Sequence, residues 1–138
     1  MKIYLAASYT RKREIAQVAA RLRKCGFKVT SRWLREGLKM DMLHGALRDI
    51  SDIRSCDVLV RFTDKLDRKM VPAQLATGAR MFECGAAWVL GKVVMVIGGH
   101  QQIFDYLPNI VHLNDVDDLI IKLRGNGYAS LQNRRNAR

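Results

Sequence analysis

Five short apolar runs punctuate this chain, and each is followed by a stretch with helical spacing or polar character. They fall at residues 2–6, 27–31, 56–62, 93–97 and 109–113. The runs at 2–6, 56–62 and 93–97 are too continuously apolar for a sheet with one wet face. They read as strands of a parallel sheet covered on both sides. Between them, Ile15, Val18, Ala19 and Leu22 recur at spacings of three, four and seven, which gives a first helix one buried stripe. Ser8 or Thr10 is the expected cap of that helix, and Gly26 its stop. A second helix is predicted over 41–55, with Leu43, Leu47, Ile50 and either Ile53 or Arg54 marking its inward face and Asp49 and Asp52 along it. A third opens near Gly78. A short helix is expected over 101–106, and a last one over 115–124, capped by Asn114.

Strand and helix thus alternate throughout, which predicts a single α/β domain with a parallel sheet between helical layers. The expected form is a flavodoxin-like or Rossmann-like three-layer sandwich of five strands in the order 2-1-3-4-5. The 138 residues suit one domain, assigned to residues 1–124. Residues 125–138 lose periodicity and read as a basic, mobile tail. Sheets of this order bind ligands where the strand order reverses, at the carboxyl ends of strands 1 and 3. The two connections there are 7–10 and 63–78.

The chain carries 24 Lys and Arg against 13 Asp and Glu, a net charge of +11. That balance asks for an anionic partner. No aromatic-bearing RNA-reading segment or helix-turn-helix pattern is visible, so a nucleotide is favoured over nucleic acid. The three cysteines form no CxxC, and His44, His100 and His112 lack ligand spacing. No metal site, disulfide framework or cofactor is expected, and a reducing cytoplasm fits. No apolar run is long enough for a membrane span.

One carboxylate stands out. Glu83 lies just inside the third helix, behind the small residues Gly78 and Ala79. A helix start favours anions, so Glu83 is either a first-turn acid worth about 0.3–1 kcal/mol or a nucleophile beside a bound sugar phosphate.

Three segments give Glu83 company: Lys2-Ile3-Tyr4-Leu5-Ala6-Ala7-Ser8; Asp49 and Asp57 with seven residues between them; and Gly78-x3-Phe82-Glu83-x-Gly85-x-Ala87, running to Gly91-Lys92. Together they resemble the nucleoside 2-deoxyribosyltransferase family, which includes the deoxynucleoside 5′-monophosphate N-glycosidases, over residues 1–124. The resemblance implies that Glu83 is the nucleophile, that Tyr4 orients it, and that Asp49 protonates the leaving base; Asp57 reads as structural. It also implies a homodimer or larger homo-oligomer. Residues 100–106 are the candidate for a contribution to a neighbouring subunit's site.

Where the family's nucleoside transferases tend to carry an acid near the sugar's 5′ end, this chain has Thr77. A hydroxyl and free N–H groups suit a phosphate. Ser8, Tyr9, Arg11, Thr77, Gly78, Ala79 and Arg80 are therefore the candidate substrate-binding residues. The expected reaction is hydrolysis of a (2-deoxy)nucleoside 5′-monophosphate. Base exchange on free deoxynucleosides and non-catalytic nucleotide binding are the alternatives. The chain departs from the family in a longer 63–76 connection and in Arg80 and Met81, which replace small residues.

Overall fold

The structure, a computed structural model, describes residues 1–35, 41–63 and 78–125. Successive side chains of a strand point to opposite faces, and the first strand shows what this does. In β1 (Lys2–Ala6), Ile3 and Leu5 enter one core while Tyr4 and Ala6 enter another. The other strands are β2 (Lys28–Val29), β3 (Val58–Phe62), β4 (Val93–Ile97) and β5 (Ile110–Leu113). All pair in parallel in the order β2-β1-β3-β4-β5, as the sequence predicts. β3 is central and buried along its whole length.

The helices are α1 (Lys12–Lys24), α2 (Met42–Ser55), α3 (Gly78–Val89) and α4 (Val116–Arg124). The larger core joins Ile15, Ala19 and Leu22 of α1 and Leu119, Ile120 and Leu123 of α4 to Ile3, Leu5, Val58, Val60 and Met95. On the opposite face, Ile53 of α2 and Cys84 and Ala87 of α3 meet Tyr4, Ala6, Leu59 and Val94. No described helix is long and apolar enough to cross a membrane.

Gly26 ends α1 as expected. It adopts φ +88°, and the Gly26 and Phe27 N–H groups return to the carbonyls of Arg23 and Leu22. That paired closure satisfies two orphan carbonyls and favours glycine.

Several local expectations are corrected. Neither Ser8 nor Thr10 caps α1. Their hydroxyls bond each other at 2.8 Å, and the chain enters α1 through a 3₁₀ turn over Tyr9–Arg11. Asn114 does not cap α4; the carboxylate of Asp115 accepts the Asp117 and Asp118 N–H groups at 2.8 and 2.9 Å. The 27–31 strand keeps only Lys28 and Val29, because Ser31 replaces the ladder with its side chain: the Leu5 N–H donates to Ser31 Oγ at 2.6 Å. The 101–106 helix is a 3₁₀ turn, Ile103–Tyr106. Leu43 and Leu47, expected inside, are 63% and 61% exposed. Only the second half of α2, at Asp52 and Ile53, reaches the buried layer.

One charged pair lies inside the α3 side of the sheet. Arg61 of β3 donates to Asp105 Oδ2 at 2.6 Å, and both side chains are 1% exposed. Asp105 also accepts the backbone N–H groups of Gln101 and Gln102, which moors the turn after β4 to the central strand. Burial pushes the Asp105 carboxyl up, but the bonds from Arg61 and Gln101 outweigh it, so the group is held below the usual carboxylate range.

Candidate active site

Tyr4 lies at the middle of β1 on the α2–α3 face, and its hydroxyl donates to Glu83 Oε1 at 2.6 Å. The two residues are 79 apart in sequence, and β1 and α3 bring them together. Glu83 is the sixth residue of α3, so it is not a first-turn acid and owes nothing to the helix start. The bland reading of this carboxylate is thereby removed. A short bond from a phenol is the kind of directed contact that fixes a carboxylate's orientation.

Burial pushes the Glu83 carboxyl from 4.5 up to about 7. The Tyr4 hydroxyl pulls it down, Asp49 pushes it up, and the Arg80 guanidinium pulls it down. The Tyr4 hydroxyl is raised far out of the titrating range by burial and by the neighbouring carboxylates, so it stays a neutral donor. Asp49, on α2, is also raised, first by burial; a bond from Arg48 Nη2 to its Oδ1 at 3.0 Å opposes this.

Glu83 and Asp49 line one cleft of about 830 Å³ between α2, α3 and the first loop. Volumes of that order take drug-sized ligands. Its walls are largely apolar: Trp33, Met42, Ile50, Ile53 and Phe82. Tyr9, Gly78 and Ala79 line it as well, so the helix start that the sequence marks as anion-ready faces the same space as the two acids. The described residues contain no cluster of His, Cys, Asp and Glu fit to hold a metal ion.

Three other sequence candidates are placed elsewhere. Ser8 is buried and bonded to Thr10. Arg11 pairs with Glu14, donates to the Thr63 carbonyl at 2.8 Å and lies over the Phe62 ring. Arg80 turns under α3, buried, and donates to the Phe62 carbonyl at 3.0 Å. Its charge still reaches Glu83 and pulls that carboxyl down, and it is not among the residues that line the cleft. Thr77 and the 64–76 part of the long connection lie outside the described residues.

Nothing in the sequence marks Arg48 or Phe82 as cleft residues, and Trp33, whose position in the sequence fits a core residue better than a pocket rim, lines the cleft. Phe82 precedes Glu83 directly and is 67% exposed at the cleft, an unusual place for a large apolar ring. Trp33 is set by two contacts. Its Nε1 donates to the Leu5 carbonyl at 2.9 Å, and the preceding Arg32 is held by Asp52, which accepts from Arg32 N and Nε at 2.9 and 2.7 Å. Asp52→Ala removes both acceptors and frees the segment carrying Trp33. Steady-state kinetics on the cleft's substrate should show KM rising about tenfold, or 1.4 kcal/mol, with kcat nearly unchanged.

No family model and no curated protein matches the sequence. Solved structures do. The chain aligns with the CMP N-glycosidase BcmB of Clostridium botulinum at TM-score 0.59 and 17% identity, over 89% of this chain and 98% of that one. This chain has the fold of a CMP N-glycosidase. The solution structure of BlsM shares that fold at TM-score 0.62 and 15% identity, over 98% of this chain and 93% of BlsM. A conserved protein of Enterococcus faecalis V583 matches at TM-score 0.55 and 18% identity, over 99% of this chain and 98% of its own. At these identities the likeness to the CMP N-glycosidase is one of fold; chemistry has to be argued from Tyr4, Asp49 and Glu83.

Proposed function

We propose that the protein hydrolyses the N-glycosidic bond of a (2-deoxy)nucleoside 5′-monophosphate through a glycosyl-Glu83 intermediate. The observation that carries this reading is the Tyr4–Glu83 bond of 2.6 Å at the wall of a cleft that also holds Asp49. The fold shared with a CMP N-glycosidase supports it.

In the first step a Glu83 carboxylate oxygen bonds to the anomeric carbon. The carbon–nitrogen bond breaks, its electron pair stays with the base, and protonated Asp49 supplies the base's proton. In the second step ionised Asp49 takes a proton from water, the water oxygen bonds to the anomeric carbon, and Glu83 leaves as carboxylate. This is the two-carboxylate division of labour of retaining glycosidases. The apolar walls suit a base, and the start of α3, where Gly78 and Ala79 line the cleft, suits the 5′-phosphate. Arg48, beside Asp49, adds the positive charge that two acids and a phosphate need.

Ionised Glu83 is the reactive form, so activity rises with pH through about 7. Tyr4→Phe removes a bond that favours the ion. A hydrogen bond to a charged group is worth about 1.5–3 kcal/mol, so the ascending limb should move up by about one to two pH units. A limb that stays in place in Tyr4→Phe would separate the phenol from the nucleophile.

Large apolar side chains are exposed on both helices that wall the cleft: Met42 at 89%, Leu43 at 63% and Leu47 at 61% on α2, and Phe82 at 67% and Val89 at 78% on α3. Patches of this kind mark association surfaces. The proposed homodimer forms through this α2–α3 face, where a second copy would wall the cleft. Light scattering after size exclusion should give a dimer for the wild type and a monomer for Leu47→Glu, Val89→Glu. A wild-type monomer at micromolar concentration would count against it.

The reaction itself is tested by chromatography of free base. Ribo- and deoxyribonucleoside monophosphates and the matching nucleosides are incubated with and without a second base. Base released from monophosphates into water supports the reading. Release only from free nucleosides, only when a second base is present, moves it to a transferase.

A further inference from the structure

The positive charge of this chain is segregated. The first 35 residues carry ten Lys or Arg against Glu14 alone, a net of +9 within the chain's +11. That segment folds into β1, α1 and β2, the edge of the sheet away from β5. Along that edge runs a second concavity of about 490 Å³, lined by Arg23, Lys28, Arg32 and Arg35 with Phe27 and Val29 between them. Arg32 is committed to Asp52. Among the described residues no carboxylate pairs with Arg23, Lys28 or Arg35, and all three are exposed. No acid lines the trough among the described residues. None of its lining residues belongs to the Glu83 cleft.

We infer that this trough binds the phosphate backbone of single-stranded nucleic acid. Unpaired cations without an interspersed acid are the electrostatic footprint of a phosphate chain. Shape decides between single strand and duplex. Proteins read duplex with an element that projects into a groove, whereas single strands are tracked by a basic groove on the protein. This surface is concave, and β2 is too short to project. The cations come from three successive elements, Arg23 from α1, Lys28 from β2, and Arg32 and Arg35 from the 3₁₀ turn that follows, so a chain of phosphates matches them better than one isolated phosphate. No base-reading set is present among the described residues, and binding should be indifferent to sequence. The inference is independent of chemistry at Glu83.

The test is fluorescence anisotropy of the full chain with labelled oligothymidylate, the matching single-stranded RNA and a duplex of equal length, across a salt series. Three phosphate contacts at about −0.7 each predict a slope of log affinity against log salt of about −2. The triple variant Arg23→Glu, Lys28→Glu, Arg35→Glu should lose at least tenfold in affinity and flatten that slope. Its circular dichroism and its base release from a mononucleotide should be unchanged, since none of the three lines the cleft. Arg134→Glu, Arg135→Glu should bind as the wild type does. Four results would overturn the inference: no binding at low salt, loss of binding in the 134/135 variant instead of the trough variant, duplex bound as tightly as single strand, or polyglutamate competing as well as oligothymidylate.

Discussion

Replacing Glu83 by Ala or Gln should lower base release by at least about 10⁴-fold, since a nucleophile acting in concert with its partners cannot be spared. The same substitution should stabilise the protein above neutral pH. The Glu83 carboxyl moves from 4.5 to about 7 on folding, mainly by burial. The folded state therefore holds that proton more tightly than the unfolded chain. Stability is lost as pH rises from 4.5 through 7, and the full cost is about 3 kcal/mol above that range. Gln never ionises. Urea denaturation should find Glu83→Gln no more stable than the wild type at pH 4, and more stable by up to about 3 kcal/mol at pH 8. Equal stability at both pH values would mean that the folded protein does not hold the carboxyl against its charge.

The largest loss of stability is expected at Asp105. Asp105→Ala strands the Arg61 guanidinium, 1% exposed, in the interior. Breaking a buried pair from one side costs about 3–5 kcal/mol, because the remaining charge has no partner. That is a large share of the stability of a domain this size. The double variant Arg61→Met, Asp105→Leu removes both charges and should recover most of the loss. Chemical denaturation of the two variants at one pH makes the comparison. A double variant as unstable as the single one would show that Asp105 acts through the Gln101 and Gln102 N–H groups, and not through Arg61.

The layers of this protein were legible because burial on both faces leaves a strand no polar positions to spare. Val58-Leu59-Val60 and Val93-Val94-Met95-Val96-Ile97 could hardly be anything else. The same logic carried a warning at Arg61: a charge in the middle of such a run needs a buried partner, but nothing local names a residue 44 positions away. Leu43 and Leu47 show the converse limit. Their spacing marks an apolar face of α2, yet spacing does not say whether the sheet, a ligand or a second copy covers it. At the site, Tyr4, Asp49 and Glu83 were found through their shared pattern, and the fold brings Tyr4 onto Glu83 and both acids to one cleft. By residue type and position, Ser8, Arg11 and Arg80 suit a phosphate. Each instead satisfies a neighbour in the first loop, on α1 or at the end of β3.

Covalent catalysis by Glu83 is most directly tested by intact mass spectrometry of the protein quenched in acid during turnover of a nucleoside monophosphate. The account predicts a fraction of the wild-type protein heavier by one sugar phosphate residue, with peptide mapping that places the ester on Glu83 and no adduct in Glu83→Gln. Turnover with no adduct at Glu83, or an adduct that persists in the Gln variant, would contradict it.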